Sequence, residues 1–259
     1  NNGGAIVVSS GGVVSNLSME ETASSSLARI YVSSGGVANT VELGNRGLLY
    51  VLGGGFASDV SVSNNGRLYV MGEEYTPEGG EMAEALYGSA KNVTVYSGGS
   101  ALIIGGEVTG LMVSSGGYAS AAGVADVSSV DVYGKLYGGE IQYGGTLTIG
   151  SGGVELWEDT VLGGTVTVNG FANIYGELVF DLSERSGEDT YIVDNIANLN
   201  LTEIGSYTIS VSDNQVNGTY KLAGNAASFS DTVTVEGTAL SVNGAGAIIG
   251  DKQYTLAVS

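Results

Sequence analysis

Residues 29–47 read RIYVSSGGVANTVELGNRG, and residues 48–66 follow without a gap as LLYVLGGGFASDVSVSNNG, so two 19-residue segments align position for position. A third copy opens as RLYVMG at Arg67, is interrupted, and resumes as NVTVYSGG up to Gly99. SALIIGGEVTGLMVSSGG then fills residues 100–117, weaker copies end at Gly134 and Gly170, and an earlier one includes VVSSGG at residues 7–12. A unit this short cannot bury an apolar face alone. Repetition at a fixed phase therefore means that each unit stacks on the one before it.

Two short apolar alternations recur in each unit. One is of the type Leu49, Tyr50, Val51; the other is Val-x-Val, as at Val41/Leu43, Val60/Val62, Val93/Val95, Leu111/Val113 and Val166/Val168. Ser-Gly-Gly or Asn-Asn-Gly separates them at constant phase. A period of two turns Val60 and Val62 inward and Ser61 and Ser63 outward. Parallel stacking of such strands, with crossovers of the usual hand, predicts an all-β fold: a right-handed parallel β-helix, or solenoid.

Composition narrows the functions open to it. Gly is 44 of 259 residues, without a Gly-X-Y period, and 43% of the chain is hydrophobic, so neither collagen nor a disordered linker fits. Glycine belongs at tight turns instead. Cys is 0 and His is 0, which removes disulfides, thiolate metal sites and any Ser-His-Asp triad. Eight Lys and Arg against 27 Asp and Glu give a formal charge of −19, a poor match for nucleic acid or an anionic membrane.

The solenoid is expected over residues 1–182, with an insertion at about 72–91, GEEYTPEGGEMAEALYGSAK. That segment holds the single proline, Pro77, and five glutamates, and EMAEALY predicts a helical turn. After Leu182 the Gly-Gly phase stops and the alternations YTISVS, GTYKLAG, DTVTVEG and YTLAVS appear, so residues 183–259 are expected to form a β-rich C-terminal cap over the open strand edges.

YVSSGGVANTVELGNRGLLYVLGGGFASDVSVSNNGRLYV resembles the repeats of AIDA-type autotransporter adhesins of Gram-negative bacteria. The likeness spans about residues 5–175 and is most specific over residues 29–117. It implies a passenger exported across the outer membrane and displayed at the cell surface, with membrane attachment only through a barrel outside this chain. Adhesion or self-association, in aggregation or biofilm, is the function it implies. The partner would be a host or neighbouring-cell surface protein or glycan, or a second copy; a passive stalk and a β-helical carbohydrate enzyme are the alternatives.

Four residues stand out as candidate contacts. Tyr31, Tyr50 and Tyr69 fall 19 apart, each between two inward aliphatics, and form one outward column. Such a column either stiffens the face or touches a ligand. Trp157, the only tryptophan, shares a face with Glu155, opposite Val154 and Leu156. Glu155, Glu158 and Asp159 make the best carboxylate cluster for glycoside cleavage, but no cationic complement lies nearby, so no catalytic residue and no enzymatic activity are expected. SGEDTYIVDN, residues 186–195, resembles one degenerate copy of the calcium-binding nonapeptide repeat, with Asp189 and Asp194 as ligands. Calcium needs six to eight oxygens and such sites need stacked copies, so an ordinary strand without a cofactor is the favoured reading.

Overall fold

In the computed structural model, the residues described are 4–19, 27–73, 86–122, 126–141, 146–150, 153–187 and 190–258. One coil shows how 19 residues close on themselves. Arg29–Val32 is a four-residue strand, residues 33–36 turn, and Val37–Leu43 is a seven-residue strand bent at its centre. Residues 44–47 turn again, and Leu48–Val51 begins the next coil in parallel register, with Tyr31 opposite Tyr50. The bend lies at Thr40, whose φ is 55° and which the ladder skips, pairing Asn39 with Ser58 and then Val41 with Val60. Each coil therefore has three β faces, one more than the two alternations in the sequence. The extra face carries the small buried residues Ala38, Ala57 and Ala90.

The bend recurs as a column of left-handed residues: Asn16, Thr40, Asp59, Asn92 and Gly110, with φ between 53° and 73°. Asn and Asp tolerate this conformation best because their short polar side chains bond locally, whereas a β-branched Thr is a strained occupant. Asn92 Nδ2 donates to Asp59 Oδ1 at 2.9 Å, which ties the corners of two stacked coils together.

The turns also stack. Gly36 N–H donates to Ser33 O at 2.9 Å across a two-residue turn whose centre, Ser34 and Gly35, has φ of 36° and 79°. Both central residues are left-handed, as a type I′ turn demands. Their own N–H groups point to the next coil, Ser34 to Gly53 O at 3.0 Å and Gly35 to Gly54 O at 2.8 Å. The closing glycine has a different reason. Gly55 needs no positive φ, but a Cβ there would lie 2.6 Å from the carbonyl carbon of Val32 in the preceding coil, with its oxygen nearer still.

Contacts divide the chain into two units, residues 1–139 and 140–259. In the first, the inward columns are filled by Ile30, Leu49 and Leu68, by Val41, Val60 and Val93, and by Leu43, Val62 and Val95, all at most 1% exposed. The insertion leaves and returns as an antiparallel pair, Gly72 with Tyr87 and Glu73 with Leu86. Ser89–Val95 is already back in the ladder, pairing in parallel with Phe56–Val62. Residues 74–85, and with them Pro77 and most of the anticipated helical turn, lie outside the described residues; Leu86–Tyr87 from that segment is strand.

In the second unit, Gly153–Leu162 pairs in parallel with Phe171–Ile174 and Glu177–Asp181. Parallel pairing continues past Leu182, from Glu177–Asp181 to Ser206–Ser210 and on to Val233–Val235. There it reverses. Val233–Val235 pairs antiparallel with Thr238–Leu240 across Glu236 and Gly237, whose φ values are 46° and 72°, and Ala247–Ile249 pairs antiparallel with Lys252–Tyr254. A hairpin return gives the last parallel strand a partner where it would otherwise show a bare edge. Within GTYKLAG, Ala223 forms one isolated bridge, to Val193. Arg185 is 5% exposed, and its Nη2 donates to Gly163 O and Gly164 O at 2.8 Å each. Gln215 Nε2 donates to Arg185 O at 2.8 Å from the other side. Among the described residues the one helical segment is a 3-10 turn at Ile196–Asn198, and no helix is long and apolar enough to cross a membrane.

Tyr207 occupies an inward column beside Phe180 and Phe229, at ring separations of 6.2 and 5.5 Å, and its hydroxyl is buried without a hydrogen-bond partner among the described residues. Burial, with the charge of Asp231 adding to it, pushes its pKa up from 10.0 to about 12. The folded state thus holds the proton more tightly than the unfolded chain does. This contribution to stability is complete below pH 10 and is lost as pH rises to about 12. Tyr207→Phe is expected to gain about 1 kcal/mol at pH 8, since an unsatisfied buried hydroxyl is removed, and to flatten the loss above pH 10. Urea unfolding at pH 8 and pH 11 checks both signs.

Candidate binding surface

Strands Arg29–Val32, Leu48–Val51 and Arg67–Glu73 run side by side, so their second outward residues meet in register. Tyr31 and Tyr50 stack with centroids 5.0 Å apart at 11°, and Tyr50 and Tyr69 at 4.7 Å and 9°. All three are half-buried, between inward neighbours such as Leu49 and Val51 that are fully buried. The column that the 19-residue spacing anticipates is therefore a continuous ring stack. Its geometry sets what it can offer. Both faces of Tyr50 are covered by neighbouring rings, so the middle of the row presents a ring edge and a hydroxyl to solvent, not an open π face.

Arginine borders the row. Arg29 and Arg67 occupy the outward position two residues before Tyr31 and Tyr69, with Leu48 between them in register. Leu48 is 6% exposed, as expected where long arginine stems flank an apolar side chain. The Tyr50 pKa is raised, chiefly by burial and then by the neighbouring Tyr69 and Tyr31, while Arg29 and Arg67 pull it down. The Tyr50 hydroxyl thus stays a protonated donor at neutral pH, with both guanidinium groups close enough to be felt. Sequence reading did not single out the arginines. The signal was present in RIYV and RLYV, where arginine opens two strands of one column.

In the second unit, Trp157 stacks on Tyr175 with centroids 4.0 Å apart at 5°. Trp157 Nε1–H donates to Glu155 Oε2 at 3.0 Å, which confirms that the two side chains share a face. Val154 and Leu156 are buried on the other side. Tyr175 was not anticipated, because it follows Trp157 by 18 residues, off the 19-residue period of residues 29–66. In the carboxylate cluster, Glu155 is engaged by the indole and Asp159 Oδ1 accepts the Glu177 N–H at 3.1 Å; the Glu158 side chain is outside the described set.

Of the two candidate calcium ligands, Asp189 lies outside the described residues. Asp194 Oδ1 accepts the Val168 N–H at 2.8 Å, and Asp194 N–H donates to Val166 O at 3.0 Å, so this aspartate joins neighbouring coils. Among the described residues no group of three or more Asp or Glu is arranged to hold a metal ion.

No protein-family model matches the chain, and no curated protein matches it. Among solved structures, the chain is similar to a TibC-catalysed hyper-glycosylated fragment of TibA, at 21% identity over 91% of this chain and 74% of that one, with a TM-score of 0.47.

Proposed function

We propose that the chain is a cell-surface passenger, exported across the outer membrane, whose solenoid surface acts in adhesion or self-association. The tyrosine ladder flanked by Arg29 and Arg67 supports this reading: a rigid, half-exposed row of aromatic edges and donors held on a stacked scaffold. The resemblance of residues 29–117 to adhesin repeats adds to it, and membrane attachment would be only through a barrel outside these residues. A host or neighbouring-cell protein or glycan, or a second copy, is the partner class. At −19, copies of the chain repel one another at low salt, where the Debye length is ~30 Å at 0.01 M. Clumping by self-association is therefore expected to strengthen with added salt or divalent cations.

The deciding experiment displays the parent and a Tyr31→Ser, Tyr50→Ser, Tyr69→Ser variant on cells. Loss of adhesion or clumping with a retained melting temperature supports a contact surface. Retained adhesion with a lowered melting temperature assigns the row to stiffening. A passive stalk is the second reading, favoured by the hydrogen bonding of turns as well as strands between coils. It takes over if the parent-displaying cells themselves neither adhere nor clump.

A further inference from the structure

The outward ladder positions beside the tyrosine row carry no carboxylate. Across the ladder positions of strands Ala5–Val8, Arg29–Val32, Leu48–Val51, Ser100–Ile104 and Tyr118–Ala122, and of residues 67–70, no outward position is Asp or Glu. Two are Arg29 and Arg67, and four are Tyr31, Tyr50, Tyr69 and Tyr118. Glu73 ends the same strand but sits in the hairpin at the root of the insertion. In a chain with 27 acids and 8 bases, a set of outward positions with two arginines and no acid departs from the composition of the rest. Residues 27–72 carry Arg29, Arg46 and Arg67 against Glu42 and Asp59, and those two acids stand on other strands and corners of the coil. An anion at this row meets two guanidinium groups and no carboxylate at the ladder positions between them.

The row also repeats. Stacked coils place equivalent groups one rung apart, and Arg29 and Arg67 are two rungs apart, on the order of 10 Å. A ligand that lies along the stack therefore meets the same hydroxyl at successive rungs and a guanidinium near each end. Guanidinium and phenol hydroxyl are both donors, and charge-assisted bonds from such donors to carboxylate or sulfate are the strong ones. Single-stranded nucleic acid would need open ring faces for base stacking. Both faces of Tyr50 and one face each of Tyr31 and Tyr69 are taken up within the ladder.

We propose that this face binds an acidic polysaccharide along the coil-stacking direction, its carboxylate or sulfate groups held by Arg29, Arg67 and the hydroxyls of Tyr31, Tyr50 and Tyr69. The assignment rests on the reading of this face as the contact surface and names the chemistry of what it contacts. The test uses the purified chain and soluble probes: polyglucuronate and chondroitin sulfate, with neutral dextran and poly-L-glutamate as comparators, titrated at low ionic strength. Binding of an acidic polysaccharide is expected, weakening as salt rises and absent with dextran. Arg29→Gln with Arg67→Gln should weaken it by ~10-fold or more. Tyr31→Phe, Tyr50→Phe, Tyr69→Phe should also weaken it while leaving the melting temperature in place, because the rings still stack and only the hydroxyls are gone. No binding of either polysaccharide by the folded parent overturns the proposal, as does unchanged affinity in the arginine variant. Binding of poly-L-glutamate as tightly as either polysaccharide also overturns it, in favour of an acidic protein partner. Cells that still clump while displaying the arginine variant would leave the adhesion reading standing and remove this ligand from it.

Discussion

Val62→Asp is expected to cost ~4 kcal/mol, a large part of the 5–15 kcal/mol that stabilises an ordinary domain, whereas Ser61→Asp next to it should cost less than ~1 kcal/mol. Val62 is 0% exposed and lies in the inward column between Leu43 and Val95, one coil on either side. A carboxylate there has the aliphatic Leu43 and Val95 as its register neighbours, not a cation. It either stays charged in a low-dielectric interior or takes up a proton and remains an unbonded polar group. Ser61 faces outward and is half-buried, with Glu42 and Thr94 as its register neighbours. Its aspartate meets one like charge across a rung, worth a few tenths of a kcal/mol in water. Melting temperatures of the two variants decide the matter: equal losses would place the inward and outward sets on the wrong sides.

Gly55→Ala is expected to cost ~3 kcal/mol or more, and Gly35→Ala only ~1 kcal/mol, although Gly35 has the unusual backbone. The alanine methyl at position 55 would press on the Val32 carbonyl, and that group cannot retreat because Val32 O accepts the Leu52 N–H at 2.8 Å. At position 35 the nearest atom to a new Cβ is Gly11 N at 3.6 Å, so the cost is that of φ at 79° alone. Gly35→Asn should be nearly neutral, since Asn65 holds the equivalent place, at φ 66°, in the other two-residue turn of the coil, where Gly66 N–H closes onto Ser63 O. Denaturant unfolding of the three variants gives the ranking, and a larger loss at Gly35 than at Gly55 would reverse the explanation.

The stacked strands were legible because the Val-x-Val pairs and the Tyr column repeat with high hydrophobic contrast. The third face was not, because Ala38, Ala57 and Ala90 are small and Asn39 and Ser58 beside them are polar, so the alternation has little amplitude. The corner residues Asn16, Asp59 and Asn92 look like ordinary loop polars in sequence. Only the skipped register at Thr40 shows that they are bends within a strand. The continuation of parallel pairing past Leu182 was hidden by the loss of the glycine phase: Ser206–Ser210 pairs in register with Glu177–Asp181, yet the segment between them has no Gly-Gly turn. The contact surface was half legible. Spacing named the tyrosines, but that the rings stack on one another, with two arginines beside them, follows only from ring distances and register.

Coil length and strand register are decoupled in this architecture, and that bears on how such a chain changes over time. Paired positions are 24 residues apart from Val13 to Val37, 19 from Val37 to Phe56, 33 from Phe56 to Ser89 and 18 from Ser89 to Glu107. The register of those pairs does not shift. The added residues fall between Met19 and Arg29 and between Gly72 and Ser89 in the sequence, outside those paired positions, and lengthening a closed loop costs only about 0.6 kcal/mol for each doubling. A gain or loss at a turn is therefore silent to the core, while the same change inside a strand reverses every side chain after it. Duplication of a whole coil adds one more identical rung, and a foreign segment set between Gly72 and Tyr87 begins and ends in a hairpin pair already in place. Such a chain can vary its length and the cargo at its corners while its outward columns keep their spacing.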